Sequence, residues 1–203
     1  MKKSNTFLKY LVTFILIVSS AQATTLFLDD FESGNLGNWT IIDEGGTSGP
    51  SAWSVISHNG SNIAYQTSNI YSNHGAETHI GTYLYTLPTA ADDYSLTVDM
   101  MSTDDDYMGV MFGYQDSNNY YRFTICKNFD TRTLQKKVNG TFITLASDSY
   151  VYTTSQWYNM KVTVLNNEIK TYLDNTVIFS VTDTSFGSRS EERRVGKECA
   201  TGC

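Results

Sequence analysis

Residues 134–145 read LQKKVNGTFITL. Asn139-Gly140 stands between two strand-like runs, Leu134–Val138 and Phe142–Leu145. Asn-Gly accepts the positive φ that a two-residue hairpin turn demands at both central positions, so the stretch reads as strand, tight turn, strand. Asn166-Asn167 and Asp174-Asn175 repeat the signal and separate three further strand-like runs. Each such turn reverses the chain, which commits this part of the molecule to antiparallel pairing.

The flanking segments have the matching period. Tyr94, Leu96, Val98 and Met100 alternate with Ser95, Thr97 and Asp99; Tyr121, Phe123 and Ile125 alternate with Arg122 and Thr124; Met160, Val162 and Val164 alternate with Lys161 and Thr163. Alternation of this kind marks a sheet with one buried face. In the run Met108–Tyr114 both phases are apolar or glycine, which predicts a central strand covered on both sides. No segment has the period of a long amphipathic helix, and no internal repeat is apparent. The expected fold is all-β, a two-sheet antiparallel sandwich of about a dozen short strands.

The ends read differently. Lys2 and Lys3, the apolar stretch Tyr10–Val18 and the closing Ala21-Gln22-Ala23 have the layout of a secretory signal peptide over residues 1–23. The apolar run is shorter than the roughly 20 residues of a spanning helix. A secreted or cell-surface protein without a membrane span is expected. Residues 189–203, RSEERRVGKECATGC, break abruptly with the Thr-, Ser-, Asn- and Tyr-rich chain before them, and 189–199 resemble a translated sequencing adapter. The tail is therefore expected to be non-native, leaving 24–188 as one domain. Two of the three cysteines, Cys199 and Cys203, lie in that tail; Cys126 is expected to be a buried small hydrophobe.

Setting aside leader and tail removes seven basic and three acidic residues from 14 and 21, leaving 7 against 18 and a net charge of −11. A domain so acidic has no electrostatic means of holding nucleic acid or an anionic membrane.

Thr103–Tyr121, TDDDYMGVMFGYQDSNNYY, resembles the C-terminal lectin-like domain of thrombospondins in its shared acids, glycines and aromatics. More widely, Asp29–Trp39 (DDFESGNLGNW), Gln156–Val162 and Leu173–Phe179 resemble segments of exported bacterial domains in the concanavalin A-like lectin/glucanase group. The resemblance implies a jelly roll, often with bound calcium. It also implies that one or two closing strands are missing beyond Ser188, so that the sandwich is truncated.

Calcium takes 6–8 hard oxygens at about 2.3–2.6 Å. The resemblance carries calcium binding onto Asp104, Asp105 and Asp106, with Asp116 joining if the following loop folds back, and a second acidic position at Asp29 and Asp30 opening the first strand. A solvated strand end is the alternative for each. For a sugar, whose C–H faces stack on aromatic rings, the candidates are Tyr114, Gln115, Asn118, Asn119 and Tyr120, with Trp53, Tyr65 and Tyr71 as further aromatics. Trp39 and Trp157 are expected in the core.

Glucanases of the resembled group use two glutamates on one strand face. Here Glu32, Glu44, Glu77 and Glu168 stand apart in the sequence. No nucleophile elbow, zinc-protease or C-x-x-C motif is present. His74, Glu77 and His79 imitate a zinc site but lie in a segment that reads as a loop. The expected function is a non-catalytic, calcium-binding, lectin-like module for carbohydrate binding or adhesion. A polysaccharide-active enzyme and a structural or protein-interaction module are the alternatives.

Overall fold

The computed structural model describes residues 25–46, 49–72, 78–86 and 92–186. The expected leader and tail lie outside them, as do His74, Glu77, Cys199 and Cys203. The described residues contain twelve strands and no helix. These are β1 (Thr40–Asp43), β2 (Trp53–His58), β3 (Ser61–Gln66), β4 (Thr82–Tyr85), β5 (Tyr94–Met100), β6 (Tyr107–Asp116), β7 (Asn119–Cys126), β8 (Thr131–Val138), β9 (Thr141–Ser149), β10 (Tyr158–Leu165), β11 (Glu168–Leu173) and β12 (Thr176–Thr182). Two four-stranded antiparallel sheets form the sandwich, one in the order β12-β11-β10-β5 and the other β6-β7-β8-β9. Two smaller pairs, β1-β4 and β2-β3, come from the N-terminal part.

The turns follow the sequence closely. Asn139 and Gly140 have φ of 49° and 82°, Asn166 and Asn167 of 50° and 64°, and Asp174 and Asn175 of 48° and 64°. Positive φ at both central residues twists the turn with the same hand as its strands. Asn59-Gly60, with φ of 51° and 88°, makes the same turn between β2 and β3. Because the turns set the register, the apolar phase of each strand lands on one face. Met108 pairs with Ile125, Val110 with Phe123 and Phe112 with Tyr121, while Phe123 pairs on its other side with Leu134. The opposing sheet supplies Met160, Val162, Ile169 and Leu173, with Leu96 and Val98 packed against them. Phe123, Ile125, Leu134, Met160 and Val162 have no exposed surface, and burial of each such side chain stabilises by about 1.5–3 kcal/mol.

One strand is placed differently from its expectation. β6 lies at the edge of its sheet, and the strands buried on both faces are β7 and β8. Beside the inward apolar set, β7 carries Tyr120, Arg122, Thr124 and Cys126, and β8 carries Thr133, Gln135 and Lys137; all are buried. Polarity made this second face look solvated in the sequence. In the fold, segments of the N-terminal part cover it, and its polar groups bond to one another or to that cover.

The two sheets are fastened at one end by Asp183, just after β12. Its Oδ1 accepts from the Tyr121 hydroxyl at 2.6 Å, and its Oδ2 accepts from Lys136 Nζ at 2.6 Å. Lys136 also donates to Ser185 Oγ, and the Phe186 ring meets Tyr121 edge-on at 4.8 Å. Burial alone would raise the Asp183 carboxyl. The hydrogen bonds from Lys136, Tyr121 and Ser185 outweigh it and bring the pKa down to about 2. A carboxyl lowered by folding stabilises the native state above its unfolded pKa and loses that contribution as pH falls through its folded value. Asp183→Asn is therefore expected to cost about 2 kcal/mol at pH 7. Its deficit against wild type should shrink from pH 4 downward and vanish near pH 2 in denaturant titrations.

Candidate functional site

The acid run before β6 is bound mainly through its backbone. The Tyr152 hydroxyl lies 2.6 Å from the Asp104 carbonyl oxygen and 2.7 Å from that of Asp106. The Asp105 carbonyl accepts from Lys127 N, Asn128 N and the Cys126 thiol. Those oxygens join the run to the loop before β10 and the turn after β7, leaving the side chains exposed. Partial desolvation of Asp106, with Asp104 and Asp105 as like charges, raises its carboxyl, and His79 partly offsets this.

Asp116 stands at the far end of β6, about 30 Å away by strand rise, so it cannot join the triplet. It anchors the β6–β7 turn, accepting from Asn118 N and Asn119 Nδ2. Asp29 and Asp30 do not open the first strand, which begins at Thr40. Asp29 caps Phe31 N and holds Trp39 Nε1, while Asp30 accepts from Glu32 N. Among the described residues, no three His, Cys, Asp or Glu side chains gather as a metal ion would require.

The sugar candidates fall near a different centre, on the face of β6–β9 turned away from the core. Strict alternation along β6 would point Tyr114 inward, in phase with Met108, Val110 and Phe112. A register shift between Phe112 and Asp116 prevents this. Gly113 supplies the bend at φ 57°, where a Cβ would sit 2.9 Å from the Tyr121 ring. Tyr114 stacks on Tyr85 at 4.7 Å and on Tyr120 at 6.1 Å, and its hydroxyl is 3.4 Å from that of Tyr83.

These rings surround Glu44, which follows β1. Its Oε1 accepts from Tyr83 at 3.0 Å; its Oε2 accepts from Tyr120 at 3.2 Å and from Lys137 Nζ at 2.9 Å. The Glu44 and Lys137 side chains are only 8% and 9% exposed, so this is a buried ion pair. Burial, reinforced by Glu44, raises the Tyr120 hydroxyl; for Tyr83, burial acts first, then Tyr114 and Glu44. Lys137 also donates to the Ser117 carbonyl and lies over the Tyr120 and Phe142 rings at 5.3 and 5.2 Å. Next to it, the Arg122 guanidinium stacks on Phe142 at 3.9 Å, donates twice to Gln135 Oε1 and reaches the His79 carbonyl. Burial lowers the Arg122 pKa.

Two adjoining clefts open over this cluster. One, of about 360 Å³, is lined by Thr78, Ile80, Asn118, Lys137, Gly140, Thr141 and Phe142. The other, of about 330 Å³, is lined by Ile42, Asp43, Glu44, Ile80, Ser117, Asn118 and Lys137. Of the expected sugar residues, Asn118 lines both clefts, Tyr120 holds Glu44 through its hydroxyl, and Tyr114 stacks on Tyr120 and Tyr85. Gln115 is exposed on the β6–β7 hairpin, and Asn119 is used in the turn, holding Asp116 and Asn139 N. Trp53 donates to Thr82 Oγ1, a link from β2 to β4. Tyr65 and Tyr71 are partly exposed. Trp157, expected in the core, is 42% exposed, because it precedes β10 in a loop; among the described rings it meets the edge of His58. Trp39 packs on Phe27 and Phe31, outside the central core.

Glu44, Lys137, Phe142 and Arg122 were missed as site residues. No local signal marks Glu44: its partners lie 39, 76 and 93 residues away. Lys137 alone had a readable oddity, as one of two adjacent lysines pointing to opposite faces of a single strand.

Comparison with known proteins places the chain in a family. The family model described as 3-keto-alpha-glucoside-1,2-lyase-like domain matches residues 22–202, and the chain belongs to that family. No curated protein matches the chain. Among solved structures, the carbohydrate-binding module CBM66 from Bacillus subtilis is similar at 16% identity and a TM-score of 0.51, covering 72% of this chain and 80% of that one. Domain 4 of AbnA, a GH43 extracellular arabinanase from Geobacillus stearothermophilus, in complex with arabinotriose, is similar at 17% identity, with 76% and 73% covered and a TM-score of 0.49. The first of these shares the β-sandwich fold.

Two outcomes test the local geometry. Gly113→Ala should destabilise the domain by about 1–2 kcal/mol in urea titrations and weaken the tyrosine near-ultraviolet dichroism, because a Cβ strains the positive φ and meets Tyr121. Millimolar calcium should leave the melting temperature unchanged. A calcium-dependent rise that Asp104→Asn with Asp106→Asn removes would establish the triplet as a calcium site.

Proposed function

We propose that this domain binds a carbohydrate in the paired clefts over Lys137, with Phe142 as the apolar contact and Asn118, Thr78 and Thr141 as polar contacts. The observation that carries the reading is the composition of the 360 Å³ cleft: one aromatic ring among amide, hydroxyl and ammonium groups. A sugar ring needs this mixture, because its C–H face stacks on the aromatic while its hydroxyls find donors and acceptors at the rim. Membership of a family named for a glucoside, and a fold shared with a carbohydrate-binding module, support it.

A second reading is elimination chemistry on a 3-keto sugar, favoured by the family's description and by the buried Glu44–Lys137 pair at the cleft floor. In such a glycoside the C2 hydrogen is α to the C3 ketone. A base removes it, the C1–C2 double bond forms, and the C1–O bond breaks with its electrons on the leaving oxygen, which takes up a proton. Glu44 would serve as base, with Lys137 or a tyrosine hydroxyl stabilising the enolate oxygen. Binding without turnover is the preferred reading, because both Glu44 oxygens already accept hydrogen bonds from Tyr83, Tyr120 and Lys137.

Titration with neutral methyl glycosides, followed by amide chemical shifts, separates these readings. Binding should perturb residues around 137–142. Phe142→Ala should weaken it about tenfold, in line with the loss of a buried aromatic contact. Absence of shifts at 137–142 with every sugar tried would defeat the binding reading. A rising enone absorbance on incubation with a 3-keto glucoside would establish the lyase.

A further inference from the structure

We infer that Glu44 is a specificity determinant that masks the charge of Lys137, so that the clefts accept neutral sugars and reject sugar acids. The inference rests on the proposal that the clefts bind carbohydrate. Its own basis is the charge lining them. The charged side chains among the described lining residues are Lys137, Glu44 and Asp43: one cation and two carboxylates.

A lone lysine facing a sugar cleft is a ready partner for a ring carboxylate. Here that capacity is already used. The ammonium lies 2.9 Å from Glu44 Oε2 with both side chains buried, where solvent screens the pair little. A second N–H goes to the Ser117 carbonyl, leaving one donor of three for a ligand hydroxyl. Tyr83 and Tyr120 pin the carboxylate, so Glu44 has no free route away from Lys137. Asp43, fixed by Ser51 N, adds a second negative group at the rim of the neighbouring cleft. An incoming carboxylate thus meets two like charges and a cation already neutralised, within a domain of strongly negative net charge. A neutral ring meets none of this repulsion and still gains the lysine's remaining N–H and the Phe142 face.

The test compares methyl α-glucoside with its 6-carboxylate, methyl α-glucuronoside, by chemical-shift titration at low ionic strength. Wild type should bind the neutral ring at least about tenfold more tightly. Glu44→Gln keeps the acceptor and removes the charge, and should shift the ratio toward the acid by about tenfold or more. Asp43→Asn, which leaves the ion pair untouched, should shift it by less and separates the rim carboxylate from the masking. Equal affinities in wild type, or a ratio unmoved in folded Glu44→Gln while sugar still binds, overturn the charge-masking role alone. If neither sugar shifts residues 137–142, the binding proposal falls and this inference with it.

Discussion

Everything in this domain follows from one constraint: β7 and β8 are covered on both faces. A strand buried on one side has a solvated side for its polar residues. These two strands have none, so Arg122, Gln135 and Lys137 need partners inside the protein. They have them. Arg122 is bound by Gln135 and by a backbone carbonyl, and Lys137 by Glu44 and Ser117. A buried charge without its partner is far costlier than the pair is stabilising. Glu44 is thereby held against the sheet, and with it the chain that leaves β1.

The two faces of one sheet are consequently built on different physics. Toward the core, β6–β9 present Met108, Val110, Phe112, Phe123, Ile125 and Leu134, and contact there is set by shape and volume. Away from the core, the same strands present a tyrosine cluster, two cations and an amide, and contact is set by hydrogen-bond satisfaction. The irregularity at Gly113 connects the regimes: it moves Tyr114 from the apolar phase into the polar one, against Tyr85 and Tyr120. A surface so lined is what the proposed carbohydrate site rests on, since a sugar has itself an apolar face and a polar rim.

The acid run before β6 shows the converse. Three consecutive aspartates look like ligands in a sequence. In the fold the tightest work at that bend is done by carbonyl oxygens, which hold Tyr152 and the turn after β7. The carboxylates stay exposed at that bend, and the joint itself is made by the backbone.

The sequence by itself determined the all-β class, the antiparallel pairing and the phase of the core. Asn-Gly and Asn-Asn turns and two-residue alternation are local, and the physics behind them acts over a few residues. It also brought Tyr114, Asn118 and Tyr120 into view, since they cluster along one hairpin. It misplaced β6 at the centre of its sheet and Trp157 in the core, because burial depends on what a distant segment covers. Glu44 was invisible for the same reason: it looked isolated until the fold set it against Tyr83, Tyr120 and Lys137. Only the tertiary structure decided which polar residues share a desolvated face, because an ion pair between residues 93 positions apart leaves no period, spacing or composition in the chain.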